Sequence, residues 1–404
     1  MIYIYAPFEI SRIDSGSKIR VEGILNSFIR DGFDITYIGL IDHNIDIFKA
    51  KKAIRSRYNI SRVILFPHKS SILKILINML LFRMSYRRAK FIDKNVALFF
   101  NSLIIKKKDS IWVNFFENIS YCETFESTQV IVDLHNDDME WYRQFIRSNR
   151  FVSSLFGIIS SANFKNEINK YKNIASTFVY ASESDRISLS PKLNNSNLCG
   201  FTIPNMIFGS RYIQNYTTSI KDRSIDILFI GSVQVSMNFD AARFLISGLK
   251  KTSKLGCNIV IAGRGASSLN NKTGYNNVEF IESPESVIDL YKNAKIFAMP
   301  FSKGSGSKLK LLEGSVSGCH IVSTAEGACG NEDKITALIN ICTLEDFDKA
   351  IHDLLLGIRR NSLYREEERF ALHKHVMSQY NWNNLSMSSF LEQTRKDSVY
   401  VTDD

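Results

Sequence analysis

The sequence predicts an α/β protein with two domains, each built on a parallel β-sheet with helices on its faces. The chain has 404 residues, which is longer than a single hydrophobic core usually supports. Short apolar runs alternate with helical patterns along most of the chain, and this alternation is typical of βαβ units. Each apolar run ends in a small or polar turn, so we expect ligand groups to converge on one edge of each sheet.

Composition indicates a soluble globular protein, because 45% of the residues are hydrophobic and 23% are charged. The six cysteines are scattered and form no C-x-x-C pair. Neither a zinc ribbon nor a disulfide framework is therefore predicted, and a reducing cytoplasm is the expected compartment. The N-terminal run MIYIYAP has no basic region, so a signal peptide is not expected. No apolar run is long enough to span a bilayer.

The net charge of +10 favours anionic partners, which include phosphorylated ligands, nucleic acid and acidic membrane surfaces. The basic residues concentrate between Lys49 and Lys108. Within this zone residues 71–91, SILKILINMLLFRMSYRRAKF, are first apolar and then basic. A helix that lies on anionic lipid has this composition, and so does a core helix with a solvated basic end. The stretch therefore predicts an anionic membrane surface as a partner or, alternatively, an ordinary core helix.

The first domain begins with a βαβ unit. Residues Met1–Pro7 and Asp34–Leu40 have the pattern of buried strands, and a helix from about Lys18 to Arg30 is predicted between them. The loop at Gly16 and Ser17 follows the first strand, at the strand end where doubly wound sheets bind their ligands. This loop is the first candidate for a ligand contact.

Arg20 and His135 are further candidates in this domain. Arg20 lies at the start of the predicted helix, where it is either a solvated charge or a ligand contact. His135 follows the apolar run Gln129–Leu134, at the functional edge of the sheet, although a lone histidine is equally often structural. Further strands are predicted at Ser110–Phe115, Ser176–Ser182 and Phe201–Asn205, and a helix at Phe145–Ile174.

A second series of strands and helices predicts the second domain. The pattern fades into polar residues from Met206 to Ser224, which we interpret as a linker. Strands are predicted at Ile225–Ile230, Asn258–Ala262, Val278–Ile281, Ala294–Pro300 and His320–Thr324, and helices at Asn238–Leu249, Val287–Asn293 and Asp346–Ile358.

The most informative stretch is Ser302–Gly318, SKGSGSKLKLLEGSVSG. It places a glycine-rich turn between a buried strand and a helix, where backbone N–H groups and the helix N-terminus favour an anion. Lys308 and Lys310 fall in the first predicted helical turn, where a cation is unfavourable unless an anion binds nearby. Glu313 follows one turn later, where it could accept hydrogen bonds from a ribose diol. The stretch predicts a phosphate or diphosphate site, although glycine–serine turns and surface lysines are also common without a ligand.

The chain resembles the retaining glycosyltransferases of family 4, which have the GT-B fold. The resemblance covers almost the whole chain, and its most specific part is residues 299–330, MPFSKGSGSKLKLLEGSVSGCHIVSTAEGACG. Other matching segments are residues 227–244, 259–265 and 278–283, the Gly16–Ser17 loop, DLHND at 133–137, SESD at 182–185, IPN at 203–205 and Tyr380-Asn381-Trp382.

The resemblance implies two facing Rossmann-like domains with a cleft between them. The acceptor-side domain would span residues 1–206, and the nucleotide-sugar-binding domain would span residues 207–383. A C-terminal crossover helix at about 384–404 would rejoin the first domain. The donor would be a UDP- or GDP-sugar, and acceptor specificity would lie with the first domain.

The resemblance also implies roles for individual residues. Glu313 would bind the ribose, Gly304–Lys308 would wrap the diphosphate, and Gly263–Gly265 with Glu282 would border the nucleobase. The residues expected in catalysis are His135, Lys308 and Glu313. Those expected to bind the donor are Gly16, Ser17, Gly231, Ser232, Gly263, Arg264, Glu282, Gly304, Ser305, Gly306, Ser307, Lys308, Lys310 and Glu313.

Two positions depart from the pattern of the family. Many members carry a second glutamate upstream of the ribose-binding one, and here Ser305 stands in its place. Many also have an arginine and a lysine after the first strand of the second domain, where this chain has Ser232-Val233-Gln234-Val235. We infer that Lys308 and Lys310 neutralise the diphosphate instead. A subgroup with GSG-K-x-K-x-x-E donor loops shares both departures.

The sequence therefore predicts a glycosyltransferase that needs no metal and acts, with retention, on a glycan or lipid-linked glycan acceptor. Assembly of a cell-surface polysaccharide, such as capsule or lipopolysaccharide, is the expected pathway. The expected location is cytoplasmic and peripheral on the inner face of the membrane. A nucleotide-sugar epimerase of the same fold is one alternative. A basic nucleic-acid-binding protein is another, but no interleaved aromatic–basic motif is found, so no nucleic-acid partner is expected.

Overall fold

The structure is a computed structural model that describes residues 1–106, 108–125, 129–147, 151–193, 199–212, 219–272, 277–303, 306–360 and 365–399. The chain forms two compact units. Unit 1 comprises Met1–Pro204 together with Leu385–Asp404, and unit 2 comprises Asn205–Asn384. Both units are α/β, and each contains one parallel sheet.

The strands are β1 (Ile2–Ala6), β2 (Ile35–Asp42), β3 (Arg62–His68), β4 (Ser110–Asn114), β5 (Gln129–Leu134), β6 (Thr177–Tyr180), β7 (Cys199–Thr202), β8 (Ile225–Ile230), β9 (Ile259–Gly263), β10 (Val278–Glu282), β11 (Ala294–Met299), β12 (His320–Ser323) and β13 (Asn340–Ile341).

The α-helices are α1 (Gly16–Arg30), α2 (Ile47–Tyr58), α3 (Ile72–Leu80), α4 (Tyr86–Phe91), α5 (Lys94–Ser102), α6 (Asp138–Ile146), α7 (Phe151–Tyr171), α8 (Glu183–Leu193), α9 (Ser236–Gly248), α10 (Ile288–Asn293), α11 (Leu309–Val316), α12 (Ala325–Ala328), α13 (Asp333–Thr336), α14 (Phe347–Arg359), α15 (Glu366–Gln379) and α16 (Met387–Val399). None of the helices in the described segments is both long and apolar enough to cross a bilayer.

The strand order of each sheet defines a point where the order reverses. In unit 1 the order is β3-β2-β1-β4-β5-β6-β7, so the reversal lies between β1 and β4. In unit 2 the order is β10-β9-β8-β11-β12-β13, so the reversal lies between β8 and β11. Doubly wound sheets bind ligands beyond the carboxyl ends of the strands at this switch point. The fold therefore marks one such position in each unit.

The central strands are buried on both faces. β1 reads IYIYA and β8 reads IDILFI, and nearly every residue in them is buried. A strand covered by helices on both sides is nearly continuously apolar, as these two are except at Asp226, whereas a half-exposed strand alternates. Each sheet is thus the centre of its unit's hydrophobic core.

Helix α16 belongs to unit 1 although it is the last element of the chain. The ring of Phe390 packs against Trp112 of β4 and Phe201 of β7, with ring centres 5.8 Å and 5.4 Å apart. At the start of the helix, Asp31 accepts hydrogen bonds from the backbone N–H of Ser388 and the hydroxyl of Ser386. Although burial opposes the shift, these bonds lower the pKa of Asp31.

The structure confirms the predicted α/β class with two parallel-sheet domains, and β5 and β8 have the predicted bounds. The prediction that Gly16 and Ser17 form a loop is wrong, because α1 begins at Gly16, after the extended residue Ser15. The prediction of a single helix at Phe145–Ile174 is also wrong. The structure has two helices, α6 and α7, which meet at Gly157, where an added Cβ would lie 2.7 Å from the backbone nitrogen of Ile146.

Candidate functional site

The predicted donor residues of unit 2 gather at the carboxyl edge of its sheet. Gly231 and Ser232 follow β8, Gly263 ends β9 with Arg264 and Gly265 directly after it, and Glu282 ends β10. Residues 306–308 lie in the connection from β11 to α11, Lys310 lies in the first turn of α11, and β11 pairs with β8 across the switch point. Gly304 and Ser305, which were also predicted here, lie outside the described residues.

The turns after β8 and β9 are in direct backbone contact. A Cβ added to Gly263 would lie 2.3 Å from the carbonyl oxygen of Gly231, and Gly263 has a φ of +142° that other residues rarely adopt. The N–H of Val233 donates to the carbonyl of Arg264 at 3.0 Å. The two turns therefore form one surface at which backbone atoms, not side chains, can approach a ligand.

Glu282 stabilises this surface. Its carboxylate accepts hydrogen bonds from the N–H groups of Gly265 and Ser267, at 2.7 Å and 3.1 Å. These bonds lower the pKa of Glu282, with that from Gly265 contributing most. The side chain predicted to border the nucleobase thus fixes the turn after β9 through its carboxylate.

The loop before α11 is held by close contacts within unit 2. Gly306 has a φ of +67°, and Asn205 donates to the hydroxyl of Ser307 at 3.2 Å. Gly330 packs directly under the loop, since an added Cβ would lie 2.6 Å from the backbone nitrogen of Ser307. The ammonium of Lys308 lies 3.4 Å from the carbonyl of Gly306. The loop is therefore a built element and not a free surface turn.

Helix α11 starts one residue later than predicted. Lys308 is its N-cap, so of the two lysines only Lys310 lies in the first turn, and the side chain of Lys308 makes no capping hydrogen bond. An uncapped N-terminus leaves backbone N–H groups to be satisfied by water or a ligand, and the helix dipole favours an anion there. The start of α11 at the switch point is thus suited to a phosphate.

Lys310 directs its ammonium to the end of β8. It donates to the carbonyl of Ile230 at 2.9 Å and to Oδ1 of Asn238 at 3.2 Å. The ammonium also lies 5.1 Å from the ring centre of Phe301 and 5.5 Å from that of Phe229. Burial, with a further contribution from nearby Lys308, lowers the pKa of Lys310 to about 8. Lys310 therefore brings a cation to the turn after β8, which has none in its own sequence.

Glu313 is held by two tyrosines. The hydroxyl of Tyr212 donates to its Oε1 at 2.9 Å, and the hydroxyl of Tyr291 donates to its Oε2 at 3.2 Å. Each carboxylate oxygen has two lone pairs, so both can still accept a hydrogen bond from a ligand diol. Burial raises the pKa of Glu313, and the tyrosine hydroxyls oppose that rise. The tyrosines therefore orient the carboxylate and leave lone pairs on both oxygens that can accept hydrogen bonds from a ligand.

In unit 1, Gly16 and Ser17 open helix α1, whose N-cap Ser15 makes no capping hydrogen bond through its side chain. Arg20, one turn into the helix, is neither a solvated charge nor exposed to a ligand, because it is 1% exposed. Its guanidinium binds Asp133 at 2.7 Å and donates to the carbonyl of Ile203 at 2.8 Å. Arg20 is therefore a structural residue that joins α1 to the end of β5.

His135 is buried at the carboxyl end of β5. Its Nε2 lies 2.9 Å from Oδ1 of Asn114, the last residue of β4. The Nδ2 of Asn114 donates to the carbonyl of Tyr5 at 2.8 Å, which fixes Oδ1 as the atom that faces the histidine. Because Oδ1 can only accept, His135 must carry its proton on Nε2. Its Nδ1 is buried and has no hydrogen-bond partner among the described residues.

The surroundings of His135 keep it neutral. Burial lowers its pKa well below the usual value, and the guanidinium groups of Arg20 and Arg87 add to the effect. The ring of Phe115 contacts both His135 and Arg87, with its centre 4.1 Å from the His135 ring centre and 4.3 Å from the Arg87 guanidinium. Phe115 has a φ of +67°, a strained conformation of the kind that clusters at functional sites. Neutral His135 thus offers a hydrogen-bond acceptor, Nδ1, in a rigid setting.

Several residues of these sites were not predicted from the sequence. Tyr212, Tyr291 and Asn238 hold the two charged residues of α11, and Asn114 fixes His135. A polar residue at the end of a buried strand, as in IWVN at 111–114, was the one signal that could have identified Asn114. Within the described segments, no cluster of three or more His, Cys, Asp or Glu side chains could hold a metal ion.

Comparison with known proteins agrees with this geometry. Residues 224–356, which include α11 and the turns after β8, β9 and β10, match the family model described as "Glycosyl transferases group 1". No curated protein sequence matches the chain.

Solved structures share the fold over nearly the whole chain. Sucrose-phosphate synthase from Thermosynechococcus elongatus has a TM-score of 0.67 and 11% identity, covering 98% of this chain and 99% of its own. TarM has a TM-score of 0.66 and 11% identity, covering 97% of this chain and 98% of its own. HepE from Anabaena in complex with UDP-glucose has a TM-score of 0.62 and 11% identity, covering 98% and 99%.

These likenesses identify the GT-B fold, with its two Rossmann-like domains, and the family match covers residues 224–356 within unit 2. The chain is therefore a glycosyltransferase enzyme of the GT-B fold, and its residues 224–356 are similar to the group 1 glycosyl transferases.

Proposed function

We propose that the chain transfers a sugar from a UDP- or GDP-sugar to a glycan or lipid-linked glycan, with retention of the anomeric configuration and without a metal ion. The observation that carries the proposal is the arrangement on α11. Its uncapped N-terminus, the Lys310 ammonium and the Glu313 carboxylate all lie where β11 and β8 meet at the switch point. These groups complement a diphosphate followed by a ribose. UDP is the first nucleotide to test, because HepE was solved with UDP-glucose.

The proposed reaction is a displacement at the anomeric carbon of the donor. A bond forms between an acceptor hydroxyl oxygen and this carbon, and the bond from the carbon to the diphosphate oxygen breaks. The bonding electron pair leaves with the nucleoside diphosphate, which also takes the hydroxyl proton. The transition state is oxocarbenium-like, so stabilising the departing charge lowers the barrier. Lys308, Lys310 and the start of α11 supply that stabilisation.

His135 and Glu313 have distinct roles in this proposal. The Nδ1 lone pair of His135 accepts a hydrogen bond from a hydroxyl of the transferred sugar. Glu313 accepts hydrogen bonds from the ribose hydroxyls. Gly306, Ser307 and the turns at Gly231 and Gly263 present backbone atoms to the donor. The enzyme would serve cell-surface polysaccharide assembly, on the cytoplasmic side of a membrane.

The test is calorimetric titration of UDP and GDP into the wild type, Lys308→Ala and Lys310→Ala, with and without EDTA. Removing either lysine should weaken nucleoside-diphosphate binding by about 1–3 kcal/mol, the usual size of a charge-assisted hydrogen bond. Lys334→Ala, an exposed lysine of α13, is the matched control and should bind as the wild type does. Equal affinity in all variants, or a loss on chelation that magnesium restores, would show that these lysines do not carry the diphosphate.

Product analysis separates transfer from the epimerase alternative. A mixture of nucleotide sugars is incubated without acceptor and then with a candidate glycan. A new nucleotide sugar formed without acceptor would indicate an epimerase. Nucleoside diphosphate released only with the glycan, together with a retained anomeric signal by NMR, would support the transferase.

A further inference from the structure

Helix α3 exposes an unusually apolar surface. Ile72, Leu73, Leu80, Leu81 and Phe82, in or directly after the helix, are 79%, 69%, 59%, 74% and 65% exposed. Single exposed apolar residues are ordinary, but a contiguous set marks an interaction site. The alternative prediction of a core helix for residues 71–91 is therefore wrong.

Helix α7 exposes a second apolar row that the sequence pattern did not predict. Phe151, Val152, Leu155 and Ile158 are 81%, 78%, 46% and 51% exposed. Their spacing of one, three and three residues places them along one side of the helix. The row thus faces solvent over the first two turns of α7.

The two helices are fastened together. Asn163 of α7 donates to the carbonyls of Met79 and Met84, at the end of α3 and after it, at 2.9 Å in each case. Asn78 and Met79 are the buried residues of α3. Because α3 is attached through this side, its other sides remain exposed, and the row on α7 is exposed as well. We call the exposed apolar residues of the two helices the α3–α7 surface.

The exposed charges of these helices are all positive. Lys74 and Arg83 are exposed on and after α3, and Lys165 is exposed on α7. The single carboxylate of the two helices, Glu167, is buried and lies 3.7 Å from Arg88. Arg88 and its neighbour Arg87 are turned inward to carboxylates, so they are not surface cations. An apolar surface with only cations exposed complements anionic lipid and would repel a second copy of itself.

We propose that the α3–α7 surface binds an anionic membrane, with its aromatic and aliphatic side chains inserted among the acyl chains and Lys74, Arg83 and Lys165 at the phosphate level. The inference rests on unit 1 alone and does not depend on the proposed activity. The proposal extends the predicted membrane contact at 71–91 to α7. The cations that meet the lipid are Lys74, Arg83 and Lys165, and not the arginines of α4.

The test is co-sedimentation of the whole protein, without nucleotide or acceptor, with vesicles of mixed phosphatidylcholine and phosphatidylglycerol. Phe82→Ser and Phe151→Ser should each weaken binding roughly tenfold, the effect of losing one buried apolar side chain. Phe48→Ser is the matched control, because Phe48 of α2 is 81% exposed, as is Phe151. Lys74→Ser should weaken binding about fivefold, and Lys52→Ser on α2 should not. Vesicles of phosphatidylcholine alone should bind less of the wild type.

Two results would overturn the proposal. One is wild-type protein that fails to sediment with anionic vesicles. The other is equal binding by Phe151→Ser and Phe48→Ser, which would exclude the α7 row. Analytical ultracentrifugation without lipid identifies the competing occupant. A dimer that Phe82→Ser disperses, with no vesicle binding, would make this surface a self-association interface. UDP binding is measured separately, so failure here leaves the proposed activity untouched.

Discussion

Asn114 determines which nitrogen of His135 carries the proton. Its amide is oriented by the carbonyl of Tyr5, so that Oδ1 meets Nε2 of the histidine at 2.9 Å. The bond connects the ends of β1, β4 and β5 at the switch point of unit 1. Asn114 is in this sense a positioning residue, because it acts through the histidine and not on a substrate.

Asn114→Ala is expected to lower kcat by about tenfold, the value of one buried hydrogen bond that must be correctly directed. The specific readout is the NMR tautomer signature of His135, which should change from pure Nε2–H to a mixture. Ser110→Ala, at the other end of β4 and also buried, is the control and should leave kcat and the tautomer signature of His135 unchanged. A wild-type signature in Asn114→Ala would contradict the assigned role.

Glu313→Gln tests the ribose contact. The change is expected to reduce kcat/KM with a UDP-sugar by about 1.5–3 kcal/mol of transition-state stabilisation, because a charged acceptor becomes neutral. The preference for UDP over 2′-deoxy-UDP should shrink with it. Glu279→Gln, at an exposed position of β10, is the control and should keep the wild-type kcat/KM and the wild-type preference for UDP. An unchanged preference in Glu313→Gln would remove the ribose from this site.

The folding stability of Glu313→Gln should not fall with its activity. Burial raises the pKa of Glu313 in the folded state, so its ionised form is disfavoured relative to the unfolded chain. At a pH above that raised pKa the carboxylate therefore costs stability, and a neutral glutamine removes the cost. The Tm of Glu313→Gln at neutral pH is expected to be equal to or above that of the wild type. A clear drop in Tm would mean that the two tyrosines need the charge.

The affinity for UDP should depend on pH through Lys310, whose pKa is lowered to about 8 by burial and by Lys308. A lysine is charged below its pKa and neutral above it, so binding should weaken as the pH rises above about 8, by at most tenfold per pH unit. Lys310→Met should bind weakly at every pH. The measurement is calorimetry across this range, with Lys334→Met expected to follow the wild type. A wild-type affinity that stays constant would exclude Lys310 from phosphate binding.

Gly330→Ala tests the loop before α11. Gly330 has a φ of +77°, and its Cα faces the backbone of Ser307. Gly256 also has a positive φ, of +61°, but an added Cβ there meets open space. Both alanine variants should lose about 1–2 kcal/mol of stability from backbone strain. Only Gly330→Ala should also weaken UDP binding, because the new Cβ displaces the loop. Equal UDP affinity in the two variants would show that the loop does not contact the nucleotide.

Local patterns predicted those elements whose residues share one environment. β8 was predicted with its observed bounds because IDILFI is apolar at every position except Asp226 and is followed by Gly231. β3 was not predicted, since it lies at the sheet edge, where burial varies from residue to residue and Pro67 is tolerated. β13 has two residues and is too short to form a pattern.

Only those site residues that lie within a single helix or turn could be predicted from the sequence. Lys308, Lys310 and Glu313 lie within one short stretch, so their spacing could be interpreted directly. Tyr212 is 101 residues from the carboxylate it contacts. Asn114 meets His135 because β4 pairs with β5. Strand order decides such contacts, and no local periodicity specifies it.

The return of α16 to unit 1 has a consequence for synthesis on the ribosome. Unit 2 is one continuous segment, whereas unit 1 lacks α16 until the segment Leu385–Asp404 has been made. Trp112 and Phe201, which pack on Phe390, stay uncovered during that time. Domains generally fold as units, N-terminal first, as the chain emerges. Here unit 1 is completed only after unit 2, so the nascent chain carries a solvent-exposed aromatic patch until α16 has been made.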